Sequence, residues 1–131
     1  MGLLGNVAGV AAGAGLGWAS GELARRLGGR TEVIGIGAGL VSAAVIYPAA
    51  RRSATSGGLA VEAAVIAATT ALAGAATKLE STAARRVLGA GWASHALFDT
   101  LQGASSDSRL PRWYPAVCAG YDVAIAARVA R

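Results

Sequence analysis

Glycine recurs at every fourth position near the start of the chain, at Gly5, Gly9, Gly13, Gly17 and Gly21. Residues four apart share one face of a helix, so this spacing predicts a helix with a stripe that carries no side chains. In water each interior glycine costs roughly 0.5–1 kcal/mol relative to alanine. In lipid, a bare stripe lets a neighbouring helix approach closely. We therefore expect a glycine zipper in a membrane helix, packed on the second helix, another copy of the chain or a partner membrane protein.

The composition points to the same class of protein. Hydrophobic residues make up 54% of the 131 residues and charged residues 15%, which is too apolar for a water-soluble domain of this size. A soluble four-helix bundle is the alternative, and it would need polar outer faces that these helices lack. We predict an all-α, polytopic helical membrane protein forming one domain over residues 1–131. The single cysteine, Cys118, excludes an intrachain disulfide.

A bilayer core takes about 20 helical residues to cross. Four stretches qualify directly, and they cover residues 2–24, 33–50, 57–77 and 113–129. A fifth stretch, residues 84–102, is apolar but contains His95 and Asp99. We predict that it also spans, because polar groups at membrane depth are tolerated where they face protein. A re-entrant or interfacial segment is the alternative. The N-terminal stretch lacks a basic leader and is expected to be a retained span rather than a signal peptide.

Basic residues separate the apolar stretches, and their distribution predicts the orientation. With five spans, eight arginines and lysines lie on the side of the C-terminus and four on the other side; with four spans the division is again eight to four. The positive-inside rule places the N-terminus outside in both cases. Loop arginines facing an anionic leaflet explain the net charge of +5. The chain lacks the basic clusters interleaved with aromatics that are typical of nucleic-acid binding, so no nucleic-acid partner is expected.

Two pairs of polar residues lie four apart in the last third of the chain. They are His95 with Asp99 in the fourth stretch and Cys118 with Asp122 in the fifth, where Tyr121 is adjacent to Asp122. A turn at residues 103–108 would make these stretches an antiparallel hairpin. Counting about 1.5 Å per residue from the outer boundary then puts His95 and Asp122 at similar depth, so their side chains are predicted to touch.

Glu62, near the start of the third stretch, and Asp99 are expected nearer the outer surface. The sequence therefore predicts an intramembrane polar site in the outer half of the bilayer. Its members are Glu62, His95, Asp99, Cys118, Tyr121 and Asp122.

Four roles are consistent with such a site. The simplest is a hydrogen bond between His95 and Asp122 that docks the hairpin. The others are a proton or cation relay, a metal site without an established zinc spacing, and catalysis by a Cys118–His95 pair, for which no accompanying motif is present. The leading functional hypothesis is transport of protons or a cation. The alternatives are a structural or accessory subunit that binds a partner membrane protein and, less favoured, a membrane-embedded enzyme; no cofactor is identified.

The segment GWASHALFDT followed by PRWYPAVCAGYDVAIA resembles uncharacterised small bacterial integral membrane proteins. In these, a His-Ala-Leu-aromatic-Asp helix is followed by Pro-Arg-Trp-Tyr-Pro, a cysteine and a Tyr-Asp pair. The matching residues are 95–99, 111–115, Cys118, Tyr121 and Asp122. The resemblance covers roughly the last third of the chain and implies a multi-pass protein of the bacterial cytoplasmic (inner) membrane. It implies no activity.

Overall fold

The computed structural model describes residues 2–53, 58–102 and 107–131. Five helices account for most of these ranges, and the predicted all-α class is confirmed. They are α1 (Leu3–Leu27), α2 (Gly29–Ala49), α3 (Gly58–Ala76), α4 (Ser81–Gln102) and α5 (Tyr114–Val129). Pro115 lies in the first turn of α5, where a missing N–H costs nothing. The predicted start at Gly57 and the predicted turn residues 103–106 lie outside the described residues.

Three of the five helices, α1, α2 and α3, are long and apolar enough to cross a membrane. The remaining two differ from them for separate reasons. α4 has 22 residues, which is about 33 Å of helix, but it carries several polar side chains. α5 is apolar over most of its length but has only 16 residues, about 24 Å.

The glycine stripe of α1 packs against α5. Ideal Cβ atoms built on Gly13 and Gly17 would overlap the backbone carbonyls of Val117 and Tyr121. Both glycines are buried, and no residue with a side chain fits this approach. This part of the stripe therefore packs on α5 of the same chain, a helix that the sequence did not predict as its partner. The two helices are parallel, since Gly9 approaches Ala116 and each later glycine approaches a later residue of α5.

α2 and α4 form the other close pair of parallel helices. Glu32 bonds to Arg85 near their starts, and Tyr47 packs edge-on against Phe98 near their ends, with ring centroids 5.5 Å apart. The core between the helices is apolar and centred on side chains that are fully or nearly fully buried. These include Ile36, Leu40, Leu88, Trp92, Ile125 and Val129.

Ion pairs mark the two ends of the bundle. At one end, which we name the Glu62 end, Arg51 binds both Glu62 and Asp107. Backbone hydrogen bonds there join the residues after α2 to those before α5, for example Arg52 N–H to the Asp107 carbonyl at 2.9 Å. At the opposite end, which we name the Glu22 end, Glu22 of α1 pairs with Arg128 of α5.

Candidate functional site

His95 of α4 and Asp122 of α5 meet in the interior of the bundle. The Nδ1 atom of His95 lies 2.8 Å from an Oδ atom of Asp122, and the residues are 3% and 2% exposed. The contact that the sequence predicts between them is present. It forms because α4 and α5 are antiparallel neighbours, and because each residue lies about two turns from the helix end at which the chain reverses.

Asp99 joins this pair from the next turn of α4. Its Oδ1 lies 3.7 Å from Nδ1 of His95, which is too long for a hydrogen bond. Asp99 is 0% exposed, and neither carboxylate oxygen has a hydrogen-bond partner within the described ranges. Tyr47 of α2 is close enough to interact electrostatically with Asp99, although its buried hydroxyl also lacks a regular hydrogen bond there. We name His95, Asp99 and Asp122 the buried triad.

An apolar cleft reaches the buried triad from the side. The cleft lies between α3 and α4, has a volume of about 270 Å³ and includes His95 in its wall. Its other lining residues are mostly apolar, among them Val65, Leu72 and Phe98. The second ring nitrogen of His95, Nε2, is buried and has no hydrogen-bond partner in the part of the chain described. The imidazole therefore separates this cleft from the Asp122 carboxylate.

Cys118 and Tyr121 border the triad rather than belong to it. Cys118 is half-buried, lies one turn before Asp122 and interacts with the side chain of Tyr114. The Tyr121 ring packs on Trp92, with centroids 5.7 Å apart, and forms part of the apolar core. Both residues are on the helix predicted for them, but only Cys118 is placed next to the charged groups.

Glu62 lies in a separate network at the Glu62 end. It accepts hydrogen bonds from Arg51 and from the side-chain amide of Gln102, the latter at 3.1 Å. The hydrogen bond from Arg51 to Glu62 raises the pKa of that arginine. Glu62 was predicted to share one cleft with His95, Asp99 and Asp122. Its hydrogen bonds are to Arg51, which follows α2, and to Gln102, so an arginine rather than the histidine neutralises it.

The other buried carboxylate, Glu32, was not singled out from the sequence. It is 1% exposed and receives two hydrogen bonds from Arg85, at 3.0 and 2.8 Å. It directly follows Arg30 and Thr31, a polar run that is typical of a loop, so no local signal identified it as buried. Tyr47 is a second residue that the sequence does not identify as part of the site. Tyr47 approaches Asp99 from a helix that is far away in sequence, so no local spacing of residues predicts the contact.

The buried triad thus combines two carboxylates and one imidazole without an arginine or lysine within the described residues. One candidate ligand atom from each residue can be chosen so that all three lie within 4.8 Å of one another. Such a group can hold protons, accept a cation or simply fix the register of α4 and α5. The two carboxylates of the triad differ from those of Glu32 and Glu62, because each of the latter is paired with an arginine.

No family model matches the chain, and no curated protein or solved structure matches it either. The resemblance carried by His95, Asp99, Cys118 and Asp122 to small bacterial membrane proteins remains a prediction. Those residues lie at or beside the buried triad.

Proposed function

We propose that this chain is an integral membrane protein of the bacterial cytoplasmic membrane that transports protons or a cation through the buried triad. In this proposal all five helices cross the bilayer, and His95, Asp99 and Asp122 form the binding site. The structural or accessory subunit is the competing hypothesis. The two differ in whether the triad exchanges its bound charge or only holds α4 against α5.

The proposal rests on a difference between the buried carboxylates in the positive groups that neutralise them. Glu32 and Glu62 are each neutralised by an arginine, whereas Asp99 and Asp122 share one histidine. Burying an ionised carboxylate at membrane depth costs at least about 2.5–3.5 kcal/mol on insertion scales. A second carboxylate with no permanent cation is therefore expensive as a structural element. Such a carboxylate is useful at a site where the neutralising proton or cation must bind and dissociate.

The distribution of side chains supports a lipid environment. Large apolar residues of α1 point outward, with Leu4 85%, Leu16 61% and Leu23 64% exposed. Its buried positions are glycines. This arrangement is the reverse of a soluble bundle, because lipid removes the need to hide large apolar side chains. The close approach of α1 and α5 at Gly13 and Gly17 supports the glycine zipper, with α5 as its partner.

The outer surface of α4 supports a fourth and a fifth span. Between residues 90 and 101 its exposed side chains are all uncharged. The hydroxyls of Ser94 and Thr100 donate to carbonyls one turn back, at 2.8 and 2.6 Å, so they present no unpaired donor to lipid. The polar residues that lower its hydropathy, His95 and Asp99, are buried. α5 follows as the return span of the same hairpin.

The ends of the bundle support an orientation with the N-terminus outside. Eight of the twelve basic residues belong to the Glu22 end and four to the Glu62 end. The eight are Arg25, Arg26, Arg30, Lys78, Arg85, Arg86, Arg128 and Arg131, and the four are Arg51, Arg52, Arg109 and Arg112. The positive-inside rule then puts the Glu22 end in the cytoplasm.

The position of the triad favours a carrier over an open pore. Asp99 lies three residues from the end of α4, about 5 Å from the Glu62 end. Towards the Glu22 end the interior is closed by Leu40, Leu88 and Trp92, which are 0–2% exposed. A proton or ion that leaves towards the cytoplasm must wait for this apolar layer to repack, and such motions take microseconds to milliseconds.

Flux measurements on proteoliposomes test the proposal. The purified full chain would be reconstituted with trapped dyes that report internal pH and divalent cations, under an imposed gradient. We expect flux above that of protein-free vesicles, and we expect Asp122→Asn to abolish it. Ser42→Ala is the control, because Ser42 of α2 is exposed and its hydroxyl bonds only to its own helix.

Two results would contradict transport. One is the absence of flux from folded, correctly inserted protein under every imposed gradient. The other is flux that Asp122→Asn leaves unchanged. A stoichiometric membrane-protein partner co-purifying with a flux-inactive chain would favour the accessory-subunit hypothesis instead.

A further inference from the structure

The spacing of the buried triad is close to that of a metal coordination sphere. Nδ1 of His95 lies 2.8 Å from a carboxylate oxygen of Asp122 and 3.7 Å from one of Asp99. Two ligand atoms bound to one tetrahedral zinc ion at about 2.0–2.1 Å are about 3.4 Å apart. The two observed separations bracket that value. All three candidate ligand atoms lie within 4.8 Å of one another, so side-chain adjustments on α4 and α5 that draw them together would bring three ligands onto one ion.

Asp99 supplies an independent indication of a ligand. It is 0% exposed and faces His95 from one turn away. Neither of its oxygens meets the geometry of a regular hydrogen bond with a described residue, and the neutral hydroxyl of Tyr47 beside it brings no positive charge. Buried polar atoms are nearly always paired in folded proteins. A carboxylate buried to this degree, beside an imidazole and a second carboxylate, is arranged to bind a positive charge rather than to stabilise the fold by itself.

The charge and the donor atoms define the class of ion. The carboxylates of Asp99 and Asp122 together carry two negative charges when ionised, which one divalent cation balances. Imidazole nitrogen is a good ligand for zinc, iron, copper and nickel, whereas Ca²⁺ takes six to eight oxygen ligands. The triad offers one nitrogen and few oxygens. It therefore suits a first-row transition metal bound through three side chains, with a coordination position left open for exchange.

We infer that His95, Asp99 and Asp122 bind a divalent first-row transition-metal ion. This inference deepens the proposed function and rests on it for the role of the ion as cargo. The hydrogen bond between His95 and Asp122 would be replaced by bonds from both residues to the ion, and the proton of that hydrogen bond would be released when the metal binds. Asp99, whose oxygens make no regular hydrogen bond within the described ranges, would gain a direct bond to the ion.

Binding of Co²⁺ and Zn²⁺ to the purified, detergent-solubilised full chain tests the inference. We expect one ion per chain by equilibrium dialysis, visible absorption bands of four- or five-coordinate Co²⁺, and loss of those bands when Zn²⁺ is added. Because the chain contains a single histidine, a paramagnetically shifted imidazole proton signal in the Co²⁺ protein would assign His95 as a ligand without any substitution. Absence of stoichiometric binding, or of that signal, would overturn the inference.

Variants identify the remaining ligands. Loss of a supporting residue typically weakens metal affinity by 10–100-fold, so removal of a direct ligand in Asp99→Asn should weaken it by about 100-fold or more. Glu80→Gln, which removes an exposed carboxylate before α4, and Cys118→Ser, which removes the nearby thiol, should both retain binding. If Asp99→Asn binds as tightly as the unmodified chain, or if Cys118→Ser abolishes binding, the proposed ligand set is wrong.

The binding and flux measurements can reject the metal site and the transport function independently of each other. Stoichiometric metal binding without flux would reject transport and leave the metal site standing. Proton flux by a chain that binds neither Co²⁺ nor Zn²⁺ would reject the metal site and leave proton transport standing.

Discussion

His95 hydrogen-bonds to Asp122 across α4 and α5 at 2.8 Å, deep in the bundle and 3.7 Å from the carboxylate of Asp99. Because both partners are buried, removing either one leaves the other without its hydrogen bond. The cost of an unsatisfied buried group is about 1–3 kcal/mol, so His95→Ala and Asp122→Ala should each lower the free energy of unfolding by about that amount. The double variant should recover part of the loss.

A double-mutant cycle in mixed micelles measures this coupling. Interhelical hydrogen bonds in membrane proteins average about 0.6 kcal/mol, with a maximum near 1.7 kcal/mol, and we expect a value towards the upper end of that range. Additive effects of the two substitutions would show that the hydrogen bond contributes nothing to stability.

The glycine stripe allows a comparison of two identical substitutions. A Cβ on Gly13 overlaps the backbone of Val117, whereas one on Gly15 meets no atom within 4 Å. Gly13→Ala should therefore separate α1 from α5 and cost about 1–3 kcal/mol through overpacking, while Gly15→Ala should be neutral or slightly stabilising. Unfolding in a denaturing detergent series would measure both. Equal effects would mean that α1 and α5 are not in close contact.

The ion pair between Arg85 and Glu32 should contribute strongly to stability. Glu32 is 1% exposed, so Arg85→Ala leaves a buried carboxylate without its cation, and breaking such pairs costs about 3–5 kcal/mol. Arg86→Ala is the control, since Arg86 is the exposed neighbour on the same helix and should change stability by less than about 0.5 kcal/mol. Similar unfolding curves for the two variants would contradict the buried pairing.

Cysteine accessibility tests whether α4 crosses the membrane. In a Cys118→Ala background, single cysteines at Lys78 and Arg109 flank α4 on its two sides. If α4 spans, a membrane-impermeant reagent added outside intact cells should label Arg109→Cys and leave Lys78→Cys unlabelled until the membrane is opened. Labelling of both positions from one side would reject the five-span proposal and favour an interfacial α4.

The start of α4 should respond to acid. Backbone N–H groups of Thr82 and Ala83 donate to the Glu80 carboxylate and lower its pKa from the ordinary value of 4.5. Because the folded pKa is depressed, the stabilisation is present above the unfolded pKa and is lost as pH falls through the folded pKa. Glu80→Gln should reduce the acid dependence of unfolding below about pH 4.5. An unchanged pH profile would mean that this contact is not maintained.

Much of the architecture follows from the sequence alone. The apolar stretches predict the helices, and three of the five are long and apolar enough to cross a membrane, where backbone groups would have to bond within their own segment. The four-residue spacings place His95 with Asp99 on one face, and counting back from the hairpin predicts that His95 meets Asp122. These relationships depend only on helical rise and periodicity, which the sequence specifies directly.

The tertiary structure decided which faces meet. α5 rather than α2 covers the glycine stripe. Arg51 forms an ion pair with Glu62, and Tyr47 approaches Asp99 from α2. Each depends on the rotation and order of helices around the bundle, and several faces of these alanine- and glycine-rich helices are equally apolar. Local periodicity therefore does not select one packing arrangement of the helices. The arrangement is selected by the sum of many small packing contacts and a few buried ion pairs.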